Sequence, residues 1–274
     1  MRFCEIITLV FVAYLLIAAW KRPLPRAPRA RVTAASLLVG MLVTTLAFAP
    51  HVPSIRVVRD WLPGAYMLAG YWLSGLFFLS PARGLESRLA AIDERLWTRL
   101  RLDAAIERAP RLALEYLELA YLVCYPLIPA ALGALWAAGR SDRADAFWTV
   151  VLAAAFVCYA VLPWAATRPP RELERTMAAI TRRPVAVRRL NLWILEHASI
   201  HANTFPSAHA ATAFAAALAV VPLVPAAGVL IGIVAASIAA ASVVGRYHYA
   251  ADAGAGTVVA VLVWTGAWLS AGRW

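Results

Sequence analysis

The chain has 274 residues, 62% of them hydrophobic, and a formal net charge of +11. Soluble globular proteins contain about 45–50% apolar residues, so this composition excludes an ordinary soluble domain and indicates an integral membrane protein. The charge would suggest a nucleic-acid partner in a soluble protein. Here the arginines flank apolar segments, where anionic lipid headgroups are the nearer partner. No nucleic-acid-binding motif accompanies them, and we expect membrane lipids but no nucleic acid as partners.

Eight apolar segments approach or exceed the length of a bilayer span, which takes about 20 helical residues. In chain order they are Cys4–Trp20, Val32–Ala49, Trp61–Leu79, Leu112–Ala138, Phe147–Ala166, Pro206–Pro222, Ala226–Val244 and Ala251–Ser270. They are rich in Ala, Leu and Val and lack the alternating polarity of barrel strands. We therefore predict an all-α, polytopic transmembrane helical bundle of about eight spans.

The first apolar segment has the length of a secretory signal. It carries Glu5 near its start, ends in Lys21-Arg22 and lacks a clean small-residue cleavage site. These features predict an uncleaved membrane anchor. The three cysteines lie within apolar spans at unrelated spacings, which predicts neither a disulfide framework nor a metal site.

Two long loops contain amphipathic segments. In Pro81–Arg111, four apolar residues share one helical face opposite the charges: Leu85, Leu89, Ile92 and Leu96. This pattern predicts a helix that lies in the membrane interface. The loop Thr167–Phe205 is rich in arginine, and its segment Asn191–His197 predicts a second interfacial helix.

Two motifs near the C-terminus contain the residues best suited to chemistry. They are Phe205-Pro206-Ser207-Ala208-His209 and Tyr247-His248-Tyr249-Ala250-Ala251-Asp252. The segment between them is almost wholly apolar and is interrupted by Pro222-Leu223-Val224-Pro225. A chain of this length can cross the bilayer, turn and return. The spacing therefore predicts that His209 and His248 lie at the same membrane face.

The second motif has the pattern of a nucleophilic histidine. His248 and Asp252 are four residues apart, so they share one face of a helix. The carboxylate can then hold one ring nitrogen while the other faces the substrate. A histidine oriented in this way is a competent nucleophile toward phosphorus. His209 could protonate the departing alkoxide as a general acid.

A phosphoryl group also needs neutralising and hydrogen-bonding groups. Ser207 and the backbone amides that follow Pro206 form a helix N-terminus, which is a natural seat for phosphate. Guanidinium groups of Arg168, Arg171 or Arg246 would neutralise the charge that builds on the phosphoryl oxygens.

Taken together, Pro-Ser-x-His and a His-x-x-x-Asp one membrane hairpin later resemble two signature motifs of the type 2 phosphatidic acid phosphatase superfamily. The resemblance covers roughly Phe147–Ser270 and implies a six-helix-type catalytic core. It implies that His248 forms a phosphohistidine, that His209 acts as acid and base, and that Asp252 orients the nucleophile. It also implies that neither a metal nor another cofactor is needed.

This resemblance suggests a division of the chain into two parts. We expect residues 1–110 to form N-terminal membrane spans and an interfacial helix. Residues 111–274 would form the phosphatase-like catalytic membrane core.

The chain departs from the phosphatase pattern at two places. The phosphatase branch usually has an arginine six positions before the nucleophile, where this chain has Ser242 and the nearest arginine is Arg246. The lysine-containing first motif of that branch has no counterpart here, and the string Arg168-Pro169-Pro170-Arg171 ends the corresponding span. The relaxed motifs look closer to the branch related to inositol phosphorylceramide synthases, which favours Arg171 over Arg168 as the phosphate ligand.

We therefore expect a metal-independent membrane phosphatase that acts on a lipid-linked phosphate. A lipid phosphotransferase that uses the same residues and another lipid or polyol as acceptor is an alternative. A catalytically silent membrane scaffold or transporter is a third hypothesis, and it predicts that nothing depends on His248.

The sidedness of the site rests on two opposed arguments. With eight spans, both motifs and the long loops share one side with 20 of the 26 basic residues, and six lie opposite: Arg2, Arg56, Arg59, Arg140, Arg143 and Arg273. The positive-inside rule would make the more basic side cytoplasmic. The resemblance implies a site on the extracytoplasmic side of the cell membrane, and long loops contribute less to orientation than short ones. We therefore expect an extracytoplasmic site.

Overall fold

The computed structural model describes residues 1–50, 52–173, 180 and 185–270. Over these residues the regular structure is α-helical, apart from a 3₁₀ turn at Ser141–Arg143 and an isolated bridge between Thr167 and Asn203. The predicted all-α bundle is confirmed. The helices are α1 (Phe3–Lys21), α2 (Arg26–Ala47), α3 (Pro53–Trp61), α4 (Pro63–Gly75), α5 (Arg83–Arg99), α6 (Leu102–Arg108), α7 (Arg111–Ala137), α8 (Ala144–Tyr159), α9 (Leu162–Ala165), α10 (Pro170–Leu173), α11 (Ala186–Ala198), α12 (Ala208–Val220), α13 (Pro225–Val244) and α14 (Ala250–Ser270).

Within the described residues, 6 helical segments are long and apolar enough to cross a membrane. They are α1, α2, α7, the segment Ser141–Ala165 that contains α8, α13 and α14. The other two predicted spans form the shorter helices α4 and α12, of 13 residues each. A helix of that length is about 20 Å long, which is less than the roughly 30 Å of the hydrocarbon core. Pro63 begins α4, and prolines flank α12 on both sides, which limits the extent of both helices.

Helix α12 occupies the centre of the bundle. It packs against α13, α14, α8 and α7, and most of its residues are buried. Its sequence is dominated by alanine, and such small side chains allow neighbouring helices to approach closely in a membrane. Because α12 is surrounded by longer helices, it does not itself need to match the bilayer thickness.

Both interfacial segments are helical, as predicted, but α5 turns a different face inward. Its buried residues are Glu86, Leu89 and Asp93, while Ile92 and Leu96 are 44% and 36% exposed. The expected apolar face is therefore only partly buried, because the two carboxylates bind arginines of the neighbouring loops. The second interfacial helix, α11, is longer than the segment predicted for it.

The two ends of the bundle carry different polar groups. At the end opposite the histidine motifs, the carboxylate of Asp145 accepts the backbone N–H groups of Phe3 and Cys4, at 3.1 and 3.0 Å. Arg59 pairs with Glu5 at the same end, at 2.7 Å. Asp145 thus caps the first turn of α1, and Glu5 of that turn neutralises the charge of Arg59.

The hairpin between α12 and α13 is closed by a close backbone approach at Gly228. A Cβ atom at this position would lie 2.4 Å from the backbone nitrogen and Cα of Val221. Only a residue without a side chain fits there unless the turn moves.

We predict that Gly228→Ala destabilises the protein by about 1–3 kcal/mol, because the added methyl group would displace backbone atoms in a packed core. Gly232→Ala on the same helix is the matched control, since its nearest contact would be the Cβ of Ala217 at 3.8 Å. Thermal unfolding in detergent, followed by tryptophan fluorescence, measures both variants. Equal melting temperatures for the two would contradict the prediction.

Candidate active site

The two histidine motifs meet at one end of the central helix. His209 is the second residue of α12, and the side chain of Ser207 caps this helix by accepting the N–H of Ala210 at 3.4 Å. His248 lies in the turn between α13 and α14. That turn is tightened because the N–H groups of Tyr247 and His248 both donate to the carbonyl of Ser242, at 2.9 Å.

The imidazole rings of His209 and His248 are in direct contact. Nδ1 of His209 lies 3.2 Å from Nε2 of His248, and the ring planes are inclined by 64°. The structure thus brings the two rings together as the hairpin spacing predicts. Nε2 of His248 faces His209, whereas Nδ1 of His248 faces Asp252. A phosphoryl group that approaches Nε2 would replace the contact between the rings.

Asp252 is fully buried and contacts three parts of the site. Its Oδ2 accepts the side-chain N–H of Asn203 at 2.7 Å and the backbone N–H of Tyr249 at 3.1 Å. The same oxygen lies 3.5 Å from Nδ1 of His248, which is an ion-pair distance longer than a normal hydrogen bond. Hydrogen bonds of this kind commonly tighten once the substrate is bound.

Asn203 is a site residue that the sequence reasoning missed. Its side-chain nitrogen also bonds Oγ1 of Thr167 at 3.0 Å, and backbone atoms of the two residues form the isolated bridge. Asn203 thereby links the end of the α8 segment to Asp252. A single loop asparagine carries no spacing signal, so only the three-dimensional contact reveals it.

The approach of α14 to the first motif depends on Gly256. A Cβ atom there would lie 2.3 Å from the carbonyl oxygen of Ser207. The backbone N–H of Ser207 donates in turn to the carbonyl of Asp252 at 3.0 Å. The absence of a side chain at residue 256 therefore allows the helix that carries Asp252 to contact the segment that carries His209.

A cavity of about 370 Å³ opens at the two histidines. Its walls are mainly apolar and aromatic and come from α4, α7, α8 and α11 as well as from the two motifs. A larger cavity of about 880 Å³ at the opposite end of the bundle has no residue of either motif in its lining. The smaller cavity is therefore the one relevant to chemistry at the histidines.

Arg171 is the predicted phosphate ligand that lines this cavity. Its guanidinium lies 5.8 Å from the centre of the Tyr247 ring, and its side chain is 18% exposed. The position leaves the charge near the histidines while part of the side chain remains accessible. Ser207, also predicted to bind phosphate, is fully buried as the cap of α12 and is not part of the lining.

The other two predicted phosphate ligands bind carboxylates of α5. Arg168 makes two side-chain hydrogen bonds to Glu86, at 2.8 and 3.2 Å, and these bonds lower the pKa of that carboxyl. Arg246 pairs with Asp93, and its guanidinium lies 4.3 Å from the Trp97 ring. Neither arginine lines the cavity. The structure places both in contacts that attach α5 to the site loops.

A buried polar cluster supports Tyr247, the residue before His248. The carboxylate of Glu118 accepts hydrogen bonds from Arg188 and Asn191, each at 2.8 Å, and from the hydroxyl of Tyr247. The Tyr247 ring stacks on Tyr121 with 4.0 Å between centroids. This cluster joins α7 and α11 to the turn that carries His248, and it holds Tyr247 on two sides.

No group of three His, Cys, Asp or Glu side chains that could hold a metal ion occurs within the described part of the chain. His197 and His201, four residues apart, belong to no such group. Nδ1 of His197 lies 2.8 Å from the backbone carbonyl of Trp193. The imidazole ring of His197 also stacks on the indole ring of Trp193. Among the predicted arginine ligands, Arg171 is the one that lines the cavity with the two histidines.

A family model described as the PAP2 superfamily matches residues 87–266. The chain belongs to the PAP2 superfamily. The match includes both histidine motifs and Arg171, and it begins within α5, so helices α1–α4 lie outside it. A comparison with curated proteins and one with solved structures found no match.

Membership in the PAP2 superfamily supports a phosphatase-type activity on lipid phosphate, and the long apolar helices make this PAP2 protein a multi-pass membrane protein. The relationship to the inositol phosphorylceramide synthase branch stays a prediction.

We predict that Asn203→Leu lowers kcat for a lipid phosphate by about tenfold or more with little change in KM. A hydrogen bond to a charged group contributes about 1.5–3 kcal/mol, and about 1.4 kcal/mol corresponds to a factor of ten. Loss of this bond would leave the N–H of Tyr249 as the remaining hydrogen bond that holds Oδ2 of Asp252 beside His248.

Thr167→Val is the matched control, because it removes the other partner of Asn203 and leaves the bond to Asp252 in place. Its kcat should fall by less than that of Asn203→Leu. Phosphate release at several substrate concentrations gives both constants, and equal losses in the two variants would argue against a positioning role for Asn203.

Proposed function

We propose that this PAP2 protein is a metal-independent phosphatase that hydrolyses a lipid-linked phosphoester through a phosphohistidine on His248. The observation that carries the proposal is the 3.2 Å contact between Nδ1 of His209 and Nε2 of His248, at a cavity that Arg171 also lines. A nucleophile, a proton donor and a fixed cation are thus present at one apolar pocket.

In the first step, Nε2 of His248 attacks phosphorus while the bond from phosphorus to the lipid oxygen breaks. Protonated His209 donates its proton to that oxygen, and the lipid alcohol leaves. His248 begins neutral, with its Nδ1 proton directed at Asp252. The Asp252 carboxylate stabilises the positive charge that the ring acquires when the N–P bond forms.

In the second step, His209 is neutral and accepts a proton from water as the water oxygen attacks phosphorus. The N–P bond breaks, inorganic phosphate leaves, and both histidines return to their starting states. Arg171 neutralises charge on the phosphoryl oxygens in both steps, and its action is strongest in a site that excludes water. No redox partner or metal ion is required by this sequence of bond changes.

A lipid phosphotransferase is the second candidate. In that case an alcohol of another lipid or polyol, rather than water, attacks the intermediate on His248. The observation that favours it is Ser242, which is buried and occupies the position where the phosphatase branch usually has an arginine. Together with the missing lysine motif, this difference supports the predicted relationship to the branch related to inositol phosphorylceramide synthases.

We predict that His248→Ala lowers turnover at least about a thousandfold, because a covalent nucleophile is lost. His197→Ala is the control, since His197 is exposed on α11 and does not line the cavity. Purified protein is assayed with a panel of lipid phosphates in EDTA, and free phosphate and new lipid products are measured together.

Wild-type turnover in EDTA is expected, with phosphate as the product for a phosphatase or a new phospholipid for a transferase. If His248→Ala retained a tenth of the wild-type activity, the phosphohistidine mechanism would be wrong. If neither product formed from any lipid phosphate, the result would favour the scaffold or transporter hypothesis.

We also propose that the site faces the extracytoplasmic side of the cell membrane. Several arginines on that side are engaged at the site loops, as in the contacts of Arg168 with Glu86 and of Arg246 with Asp93. These arginines are needed by the fold, so they carry less information about orientation than unpaired loop charges would. The long loop between α8 and α12 also weighs little in the positive-inside rule.

We predict that a cysteine introduced by Ser87→Cys reacts with a membrane-impermeant thiol reagent in intact cells. Ser87 is exposed on α5, at the same end as the histidines. The partner variant Asp142→Cys is exposed at the opposite end, and it should react only after the cells are opened. Both are made in a background that lacks Cys4, Cys124 and Cys158; the reverse labelling pattern would place the site in the cytoplasm.

A further inference from the structure

One wall of the catalytic cavity comes from outside the matched region. Helix α4 contributes Met67, Leu68, Tyr71 and Trp72 to the lining, whereas the family match begins at residue 87. The side chains of α4 therefore shape a pocket whose catalytic residues all belong to the matched part of the chain.

Helix α4 is fixed in this position by polar contacts as well as by packing. It packs on α8 and α1. The hydroxyl of Tyr71 lies 3.0 Å from Oγ of Ser199 and accepts the backbone N–H of Ile200 at 3.3 Å. The indole N–H of Trp72 donates to the carbonyl of Ala198 at 3.0 Å. These partners lie just before Asn203 in the chain. Helix α4 is therefore hydrogen-bonded to the segment that contains Asn203, the partner of Asp252, and that continues to His209.

The lining of the cavity reaches the outer surface of the bundle on α4 and α7. Three of its lining residues are also large apolar residues on the outer surface, with exposures of 44% for Leu68, 50% for Trp72 and 45% for Tyr125. On a helix bundle within a bilayer, such a surface faces lipid hydrocarbon. These three residues therefore belong both to the cavity lining and to the surface that would face lipid.

We propose that α4 is the specificity wall for the lipid tail: the hydrocarbon next to the phosphate lies against Met67, Tyr71 and Trp72, and the remainder leaves through the mouth at Leu68. This proposal rests on the proposed function and names its substrate class as phosphates whose tail is apolar from its first carbons. Ligand pockets of about 300–1,000 Å³ bury a drug-sized molecule, and the cavity of about 370 Å³ therefore holds only the first part of a lipid tail.

The first test compares two substrates with one headgroup, an alkyl phosphate with an 18-carbon chain and its 6-carbon analogue. Met67→Trp fills the cavity, and Leu68→Trp fills its mouth. Leu68→Trp should lower kcat/KM for the long-chain substrate at least about tenfold relative to the short one. Met67→Trp should lower kcat/KM for both substrates at least about tenfold, because both tails place their first carbons beside residue 67. Ala65→Trp is the matched control, because Ala65 is exposed on α4 and does not line the cavity. An unchanged ratio of the two kcat/KM values in Leu68→Trp, or unchanged kcat/KM for both substrates in Met67→Trp, would overturn the proposal.

The second test does not require turnover. His248→Ala protein in detergent is irradiated with an 18-carbon alkyl phosphate that carries a diazirine near the phosphate, and the modified peptides are identified by mass spectrometry. The adduct is expected within Pro63–Gly75 and should fall at least fivefold with Met67→Trp but not with Ala65→Trp. Adducts confined to other helices, or an equal yield of adduct in all variants, would refute the proposal that α4 contacts the lipid tail. Such an adduct in a protein whose wild type shows no turnover would refute the proposed function alone.

Discussion

The burial of one carboxylate, that of Asp252, determines the geometry on which the rest of the site depends. Removing an ionised carboxylate from water costs several kcal/mol unless hydrogen bonds and opposite charge compensate. Here two hydrogen bonds compensate, one from the side chain of Asn203 and one from the backbone N–H of Tyr249, and Nδ1 of His248 lies 3.5 Å away. Because these donors belong to separate segments, satisfying the carboxylate also brings together the loop before α12 and the turn before α14. The two imidazole rings meet as a consequence.

Ion pairs with α5 distinguish two of the predicted arginine ligands from the third. Glu86 and Asp93 of α5 bind Arg168 and Arg246, while Arg171 lines the cavity. Breaking a partly buried pair leaves one charge without compensation, so such arginines are costly to move. Helix α5 thereby acts as an attachment for the site loops rather than as a peripheral amphipathic segment.

Features that depend on local spacing could be predicted from the sequence. The hairpin length placed both histidines at one face, and the interval of four residues placed Asp252 beside His248. The inward face of α5 could not be predicted from the helical pattern of its apolar residues. That face is set by ion pairs of Glu86 and Asp93 with arginines that are distant in sequence. The contact of Asn203 with Asp252 and the place of α4 beside the cavity could not be predicted for the same reason. Each depends on contacts between residues that are distant in sequence.

Gly256 shows that the polar side chains of the two motifs do not by themselves define the geometry of the site. An alanine at this position would leave every polar side chain of both motifs in place, yet its methyl group would press on the Ser207 carbonyl at 2.3 Å. The helix carrying Asp252 would then have to withdraw from the segment carrying His209. Relatives that retain both motifs but have a larger residue here would need a compensating change in helix packing. Assigning activity to such relatives from their motifs requires this position to be inspected as well.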